Sequence, residues 1–333
     1  MKSVHLVIPD LLLPPDLAAA VCAGLETLVL GRMLGWANSG RETLPQKALE
    51  QRVSELCGLP QGVSHARLFA RHDGLEEGCW LRADPVYLEV QRDRLVLQEV
   101  LLDAELSMAL CDDLNRHFAE DGLRFLAPHP QRWYVRCDAP PRMKTTPLYG
   151  AVGQDVQSLL PSGTEALAWV RRFNEIQMLL YSHSQNEKRE ASGLTPVNSL
   201  WFWGEGSEPG EMVPEIKWIV TDHDFSRQLA AASGLAHSGW RLPWQPDATD
   251  MQLLVWEGLQ AAARCGDWQA WRESLATLES ALARPLWEAL RAGRIDQIIL
   301  EVGGVAGWQH AALKRRDTWA FWRRNRSIAT GWV

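Results

Sequence analysis

Several things are scarce in this sequence, and each scarcity excludes something. Positive charge is in deficit, with 34 Lys and Arg against 41 Asp and Glu, a net charge of −7. That balance argues against a general affinity for nucleic acid or anionic lipid, and leaves room only for a local basic patch. Six cysteines (22, 57, 79, 111, 137 and 265) form no CxxC pair and no zinc-type spacing, which excludes zinc ribbons and thioredoxin-like motifs. No apolar run approaches the roughly 20 residues a membrane-spanning helix needs. Internal repeats and low-complexity tracts are absent, so a solenoid is excluded. Met1 leads straight into "KSVHLVIPD", which reads as a strand rather than a signal peptide. The expectation is a reduced, soluble, cytoplasmic protein. Tyrosine and phenylalanine are few, 4 and 7, whereas tryptophan numbers 17. Each Trp buries a large area and carries an N–H that needs a partner, so most are expected in the core or an interface.

The pattern of what is present is α/β. "VHLVIP" (4–9) is a compact apolar strand. Residues 15–35 space Leu17, Val21, Leu25 and Leu28 as one helix, and 45–58 forms a second that closes at Gly58. The texture changes near residue 79. "VYLEVQRDRLVLQEV" (86–100) reads as a hairpin, and "DAELSMALCDDLNRHFAEDG" (103–122) as a helix with Asp103 at its N-cap. "LRFLAP" and "RWYVRC" add two more strands. Residues 79–147 therefore read as a small inserted α+β domain, with the Pro-rich 138–147 as return linker. Residues 1–78 and 148–333 read as the larger domain. It continues with a helix over 163–183, strands at 197–204, 216–221, 251–257 and 296–302, and helices at 225–234 and 268–291. Alternating apolar strands and helices predict a mostly parallel sheet covered on both faces.

The stretch "IVTDHDF" (219–225) reads at first as a metal site, because Asp and His at a strand end are how two-metal phosphoryl-transfer enzymes hold ions. The competing reading makes Asp222 or Asp224 the N-cap of a helix beginning near Phe225, with His223 a strand-end side chain. The sequence favours the cap.

The block "FNEIQMLLYSHSQNEKREASGLTPVNSLWFWGEG" (173–206) resembles a segment of the archaeal-type, cofactor-independent phosphoglycerate mutases of the alkaline phosphatase superfamily. "GCWLRADPVYLEV" and "HPQRWYVRC" are similar to the two ends of that family's inserted domain. The nearest likeness is to a bacterial group labelled RpfE-type regulatory proteins. The resemblance implies an alkaline-phosphatase-like core with a small inserted domain. It also implies two divalent cations, Mn or Zn, held by Asp and His at strand ends around a Ser or Thr nucleophile. Asp10 stands where a first-strand carboxylate is expected, followed by Leu11 rather than Gly. Ser39 and Thr43 lie near the nucleophile region without matching it. Gln260 or Ala261, and Arg264, stand where ligands are expected, and "LEVGGVAG" (300–307) lacks the expected Asp-His pair. An Arg cannot ligate a metal.

The resemblance also implies anion-holding residues: Arg82, Arg132, Asn186, Arg189 and Asn198. A planar guanidinium donates two hydrogen bonds at once to phosphate or carboxylate. Asn174, Glu175, Gln177, Tyr181 and His183 form a polar row that could line a cleft or serve packing. The tail "LKRRDTWAFWRRNRS" (313–327) interleaves Arg and Trp and reads as an amphipathic terminal helix or a partner surface. Three functions stay open. The leading one is a non-catalytic pseudoenzyme, a regulatory protein without cofactor that binds a small phosphorylated or carboxylate metabolite or a protein partner. The second is an active metal-dependent mutase or phosphatase built from Asp10, Asp222, His223, Asp224, His237 and His310. The third is an interaction module using the Trp-rich surface and basic tail.

Overall fold

The computed structural model describes residues 2–37, 39–210, 214–246, 250–320 and 322–328. Its strands are β1 (Ser3–Leu12), β2 (Ser39–Leu44), β3 (Cys79–Gln91), β4 (Arg94–Glu99), β5 (Arg124–His129), β6 (Arg132–Cys137), β7 (Ser199–Trp203), β8 (Trp218–Val220), β9 (Ala236–Ser238), β10 (Met251–Val255), β11 (Gln297–Gly304) and β12 (Gly307–Lys314). Contacts divide the chain into two compact units, residues 1–58 with 213–333, and residues 59–212. The sequence pattern places the divisions at 79 and 147 instead.

The first unit is built on a seven-stranded sheet in the order β2-β12-β11-β1-β10-β8-β9. The run β11-β1-β10-β8-β9 is parallel, and β12 and β2 extend it antiparallel. Val4, Leu6 and Ile8 of β1 point into a core shared with helix Leu28–Trp36 and the long helical run 268–291. His5 and Val7 point the other way, toward helix Leu49–Leu56, whose Arg52 reaches Glu301 on that face. Both faces are thus covered, as a buried parallel sheet requires.

Local chemistry explains the helices. The helix expected over 15–35 is two, Pro15–Val21 and Leu28–Trp36, broken by a turn in which Gly24 takes φ +70°. Leu28–Trp36 has no side-chain cap of its own, and the buried Glu279 carboxylate accepts from Val29 N and Leu30 N at 2.7 and 2.9 Å. The run 268–291 loosens to a π-turn at Leu278–Ala283. Pro285 follows it and donates no N–H, and the carbonyl of Ala281, four residues earlier, accepts from Trp244 N at 2.8 Å.

The second unit holds a five-stranded antiparallel sheet ordered β4-β3-β6-β5, with β7 on β3. This corrects the expectation for 197–204, because β7 joins the antiparallel sheet rather than the parallel one. Helix Ala104–His117 packs on β5, and Asp103 caps it by accepting from Leu106 N at 2.8 Å. Among the described residues, eleven tryptophans are buried, in keeping with their expected role as core filling. Among the described residues, the tail does not form a continuous helix over 313–327. β12 ends at Lys314, a short 3-10 turn covers Arg315–Trp319, and Trp319 and Trp322 are 57% and 70% exposed.

Candidate functional site

Parallel strands carry their carboxyl ends to one edge of the sheet, where α/β proteins place ligands. At that edge of the first unit lie Asp10, at the register shift of β1, and the residues following β8 and β10. Asp10 adopts φ +53°, a strained conformation for a residue with a side chain. Burial pushes its carboxyl above the ordinary range, against the opposing pull of Arg264 and a bond from the Gln260 side chain. The carboxylate of Glu257, after β10, accepts from Asp222 N at 2.9 Å and from the Thr221 hydroxyl at 3.3 Å. Burial raises its pKa too.

Asp222 accepts from Trp240 N at 3.3 Å and faces solvent. The helix here is Asp224–Ala232, so the cap position falls on His223 rather than on Asp222 or Asp224, and its side chain makes no capping bond. His223 is buried, with Nδ1 2.9 Å from Ser226 Oγ and Nε2 3.8 Å from Glu50 Oε1. Burial, reinforced by Arg264, lowers its pKa to about 4. Glu50 is 1% exposed, and among the described residues neither of its carboxylate oxygens has a hydrogen-bond partner. Burial raises its pKa above the carboxylate range, opposed in part by Arg264. A protonated Glu50 beside a neutral imidazole is the arrangement burial favours.

The family resemblance implies two divalent ions at such an edge. The fixed positive charge of Arg264 acts on Asp10, Glu50 and His223 alike, and among the described residues no three metal-type donors converge there. Among the described residues, three metal-type donors converge elsewhere, at His5, Glu301 and His310 in the middle of β1, β11 and β12. There Arg52 already grips Glu301 with two bonds of 2.5 Å. His5 Nε2 and His310 Nδ1 lie 3.0 and 3.1 Å from Glu301 Oε1. His237 lies in β9.

The anion-holding residues expected in the second unit all have internal partners. Arg82 is 1% exposed, donates twice to Asp84 Oδ1 at 3.0 and 2.6 Å, and lies 5.0 to 5.9 Å from the ring centroids of Trp203, Tyr134 and Phe69. Asp84 accepts further bonds from Trp203 Nε1 and Trp133 N. Arg132 forks onto Asp73 at 3.0 and 2.9 Å, where Tyr134 OH also donates. Arg189 donates to the carbonyls of Thr195 and Leu101. Asn186 bridges Leu180 O and Val197, and Asn198 pairs with both backbone groups of Leu88.

The polar row does not act as a row. On helix Ala166–Tyr181, Asn174 and Tyr181 face solvent, and Gln177 is half-buried. Glu175 bonds His117 at 2.7 Å, and His183 bonds Asp113 at 2.5 Å while accepting from Gln185 N. Sequence reasoning missed Glu50, which "LEQRVSEL" presents as an ordinary helix charge. Glu301 and His5 could have been found, because each sits between two apolar neighbours in its strand.

No family model matches the chain. Several curated relatives match part of it, among them the following three. A Geobacter sulfurreducens protein described as a probable 2,3-bisphosphoglycerate-independent phosphoglycerate mutase is 34% identical over 98 residues, 28% of this chain and 25% of the relative. The corresponding mutase of Methanothrix thermoacetophila is 33% identical over 109 residues, 31% of this chain and 26% of the relative. Mutase 2 of Methanothermobacter thermautotrophicus is 37% identical over 68 residues, 20% and 17%. The chain thus spans about a quarter or less of the length of the curated relatives it matches. A solved structure from Pyrococcus horikoshii aligns over 93% of this chain and 86% of its own, with TM-score 0.53 at 12% identity. A cofactor-independent phosphoglycerate mutase of Thermoplasma acidophilum aligns over 100% and 96%, with TM-score 0.46 at 14% identity. The Pyrococcus likeness is one of fold, and in sequence the chain is related, over these partial spans, to the cofactor-independent phosphoglycerate mutases.

Proposed function

We propose that this chain is a non-catalytic relative of those mutases, a regulatory protein that works by binding an anionic metabolite or a protein partner. One observation carries the reading. At the strand-end edge, Arg264 supplies a permanent positive charge to Asp10, Glu50 and His223, and among the described residues no three metal-type donors converge there. A pair of divalent ions needs ionised, converging carboxylates. A guanidinium in their neighbourhood favours the ionised acids but already supplies their counter-charge, and it repels an incoming cation.

The second reading, an active metal-dependent mutase or phosphatase, has its own support in the strained Asp10 and in the two unbonded oxygens of Glu50. The deciding experiment equilibrates tag-free protein with manganese and zinc, desalts it, and measures metal by mass spectrometry beside a phosphoglycerate mutase assay. The expected result is sub-stoichiometric metal and no turnover. Retention of two equivalents, lost in Asp10→Asn and His223→Ala, would establish the enzyme reading instead.

A further inference from the structure

In the second unit, two cysteines far apart in sequence stand opposite each other. Cys79 opens β3, Cys137 closes β6, and the antiparallel register pairs them directly. Residues opposite each other in such a pair point to the same face, with Cα atoms about 5.5 or 4.5 Å apart according to the rung. Both values fall inside the roughly 4.4–6.8 Å that a disulfide spans. Both cysteines are free thiols. The next pairs, Trp80 with Arg136 and Leu81 with Val135, hold the two backbones in this register. Ala83, on the same face of β3 as Cys79, pairs with Phe202, whose ring lies 5.1 Å from that of Trp169. The cysteines thus sit at the end of a packed face. They are 9% and 8% exposed, against 0% for Cys57 and 4% for Cys111.

The surroundings distinguish the two sulfurs. A hydrogen bond with Cys137, and then the charge of Arg67, outweigh burial and Glu208 and bring the Cys79 pKa down to about 7. Arg67 is held beside Cys79 by its bond to Gly78 O at 3.0 Å and by Glu208 at 2.6 Å. The same bond to Cys79, and then burial, push the Cys137 thiol up. Burial drives Cys57 and Cys111 up to about 12. The thiolate is the nucleophile, so Cys79 is the reactive member and Cys137 its protonated neighbour.

We propose that Cys79 and Cys137 form a redox-active pair, which closes to a disulfide on reaction with a hydroperoxide and reopens with small thiols. The Cys79 thiolate attacks one peroxide oxygen and the O–O bond breaks. The other oxygen leaves as hydroxide or alkoxide and takes up the proton that Cys79 had released. Cys79 is thereby oxidised by two electrons to the sulfenic acid. The Cys137 sulfur then attacks that of Cys79, the S–S bond forms and the S–O bond breaks. The departing hydroxide takes the Cys137 proton and leaves as water. Two thiols and one hydroperoxide thus give one disulfide, one alcohol or water, and one water. Two molecules of a small thiol reverse the closure by exchange. The closed form ties the first residue of β3 to the last of β6 and constrains the unfolded chain between them.

The test exposes reduced, tag-free protein to hydrogen peroxide in molar excess, blocks the remaining thiols by alkylation, and maps the peptides by mass spectrometry. The expected result is a Cys79–Cys137 cross-linked peptide that dithiothreitol removes, with Cys57 and Cys111 still alkylated after unfolding. In Cys137→Ser, dimedone captures a sulfenic acid at Cys79. In Cys79→Ser no cross-link forms at this site, and Cys137 reacts at least about tenfold more slowly than Cys79 does in the wild type. Serine changes a single atom at either position, and circular dichroism checks the fold of both variants. The wild-type peptide map decides the matter by itself if a variant fails to fold. Oxidation confined to Cys22 and the exposed Cys265, sulfinic acid at Cys79 with Cys137 unlinked, or pairing of Cys79 with another cysteine overturns the proposal. A sulfenic acid captured at Cys137 instead of Cys79 overturns the assignment of roles.

Discussion

Replacing Arg82 by Met separates a structural role from a ligand-binding one. The guanidinium is 1% exposed, bonded twice to Asp84 and surrounded by three aromatic rings. Removing one member of a buried ion pair strands the other charge, at a cost of about 3–5 kcal/mol. Asp84 keeps its bonds from Trp203 Nε1 and Trp133 N, which places the effect toward the lower end of that range. The assay is urea unfolding followed by tryptophan fluorescence, sensitive here because Trp133 and Trp203 lie beside the pair. With an unfolding slope of roughly 2–3 kcal/mol per molar urea, the midpoint of this unit falls by about 1–2 M. Asp84→Asn alone destabilises for the same reason. The double variant Arg82→Met/Asp84→Asn loses less than the sum, because no lone charge remains. Additive losses, or a shift below about 1 kcal/mol in Arg82→Met, would refute the reasoning and return Arg82 to the list of ligand-holding groups.

Two buried acids are expected to act in opposite directions with pH. Glu50 has a raised folded pKa, so its contribution is full below the unfolded carboxylate pKa and declines as pH rises toward the folded value. Glu50→Gln should flatten that decline in a series of thermal melts from pH 4 upward. Glu301 is the reverse. Burial opposes its charge, but bonds from Arg52, His310 and His5 outweigh burial and hold its pKa far below the usual range. Its contribution is present above the unfolded pKa and lost as pH falls, so Glu301→Gln should destabilise at pH 7 and converge with wild type in acid. Gly35→Ala should destabilise despite a helix-propensity gain of up to about 1 kcal/mol, because the new methyl meets the Arg324 carbonyl. Limited proteolysis should then cut the C-terminal segment faster. Tyr181→Ala, at a site 85% exposed, should change stability by no more than about 0.5 kcal/mol in the same urea assay.

Much of the fold was legible because it rests on periodicity. The apolar runs of β1, β10 and β11, the helix at 104–117 with its Asp103 cap, and the long run 268–291 all follow from spacing and capping chemistry. β7 was legible as a strand but not in its partner, since five buried residues read the same in a parallel sheet as beside β3. At the candidate site, the sequence supplied Asp10, His223 and Arg264, residues of recognisable chemistry at strand ends. It could not supply Glu50, whose meaning lies in the absence of hydrogen-bond partners rather than in its type. Arg82, Arg132 and Arg189 were visible as arginines, but Asp84 beside Arg82 was not legible as its partner, and Asp73 and Leu101, which engage Arg132 and Arg189, come from elsewhere in the chain. The tail's charge was equally visible, but its shape depends on Gly31 and Gly35 some 290 residues earlier.

The order of strands in the parallel sheet has a consequence for how the chain folds. β1 lies between β10 and β11, so both of its neighbours come more than 240 residues later. During synthesis, residues 59–212 can complete their own sheet while β1, almost wholly apolar, still has no partner along either edge. Pairings this distant slow folding and lengthen the time that unpaired apolar edges are exposed. The second unit can therefore fold early while the first waits for its last strands, and a ribosome-bound nascent chain stopped before β10 should be protease-resistant only within residues 59–212.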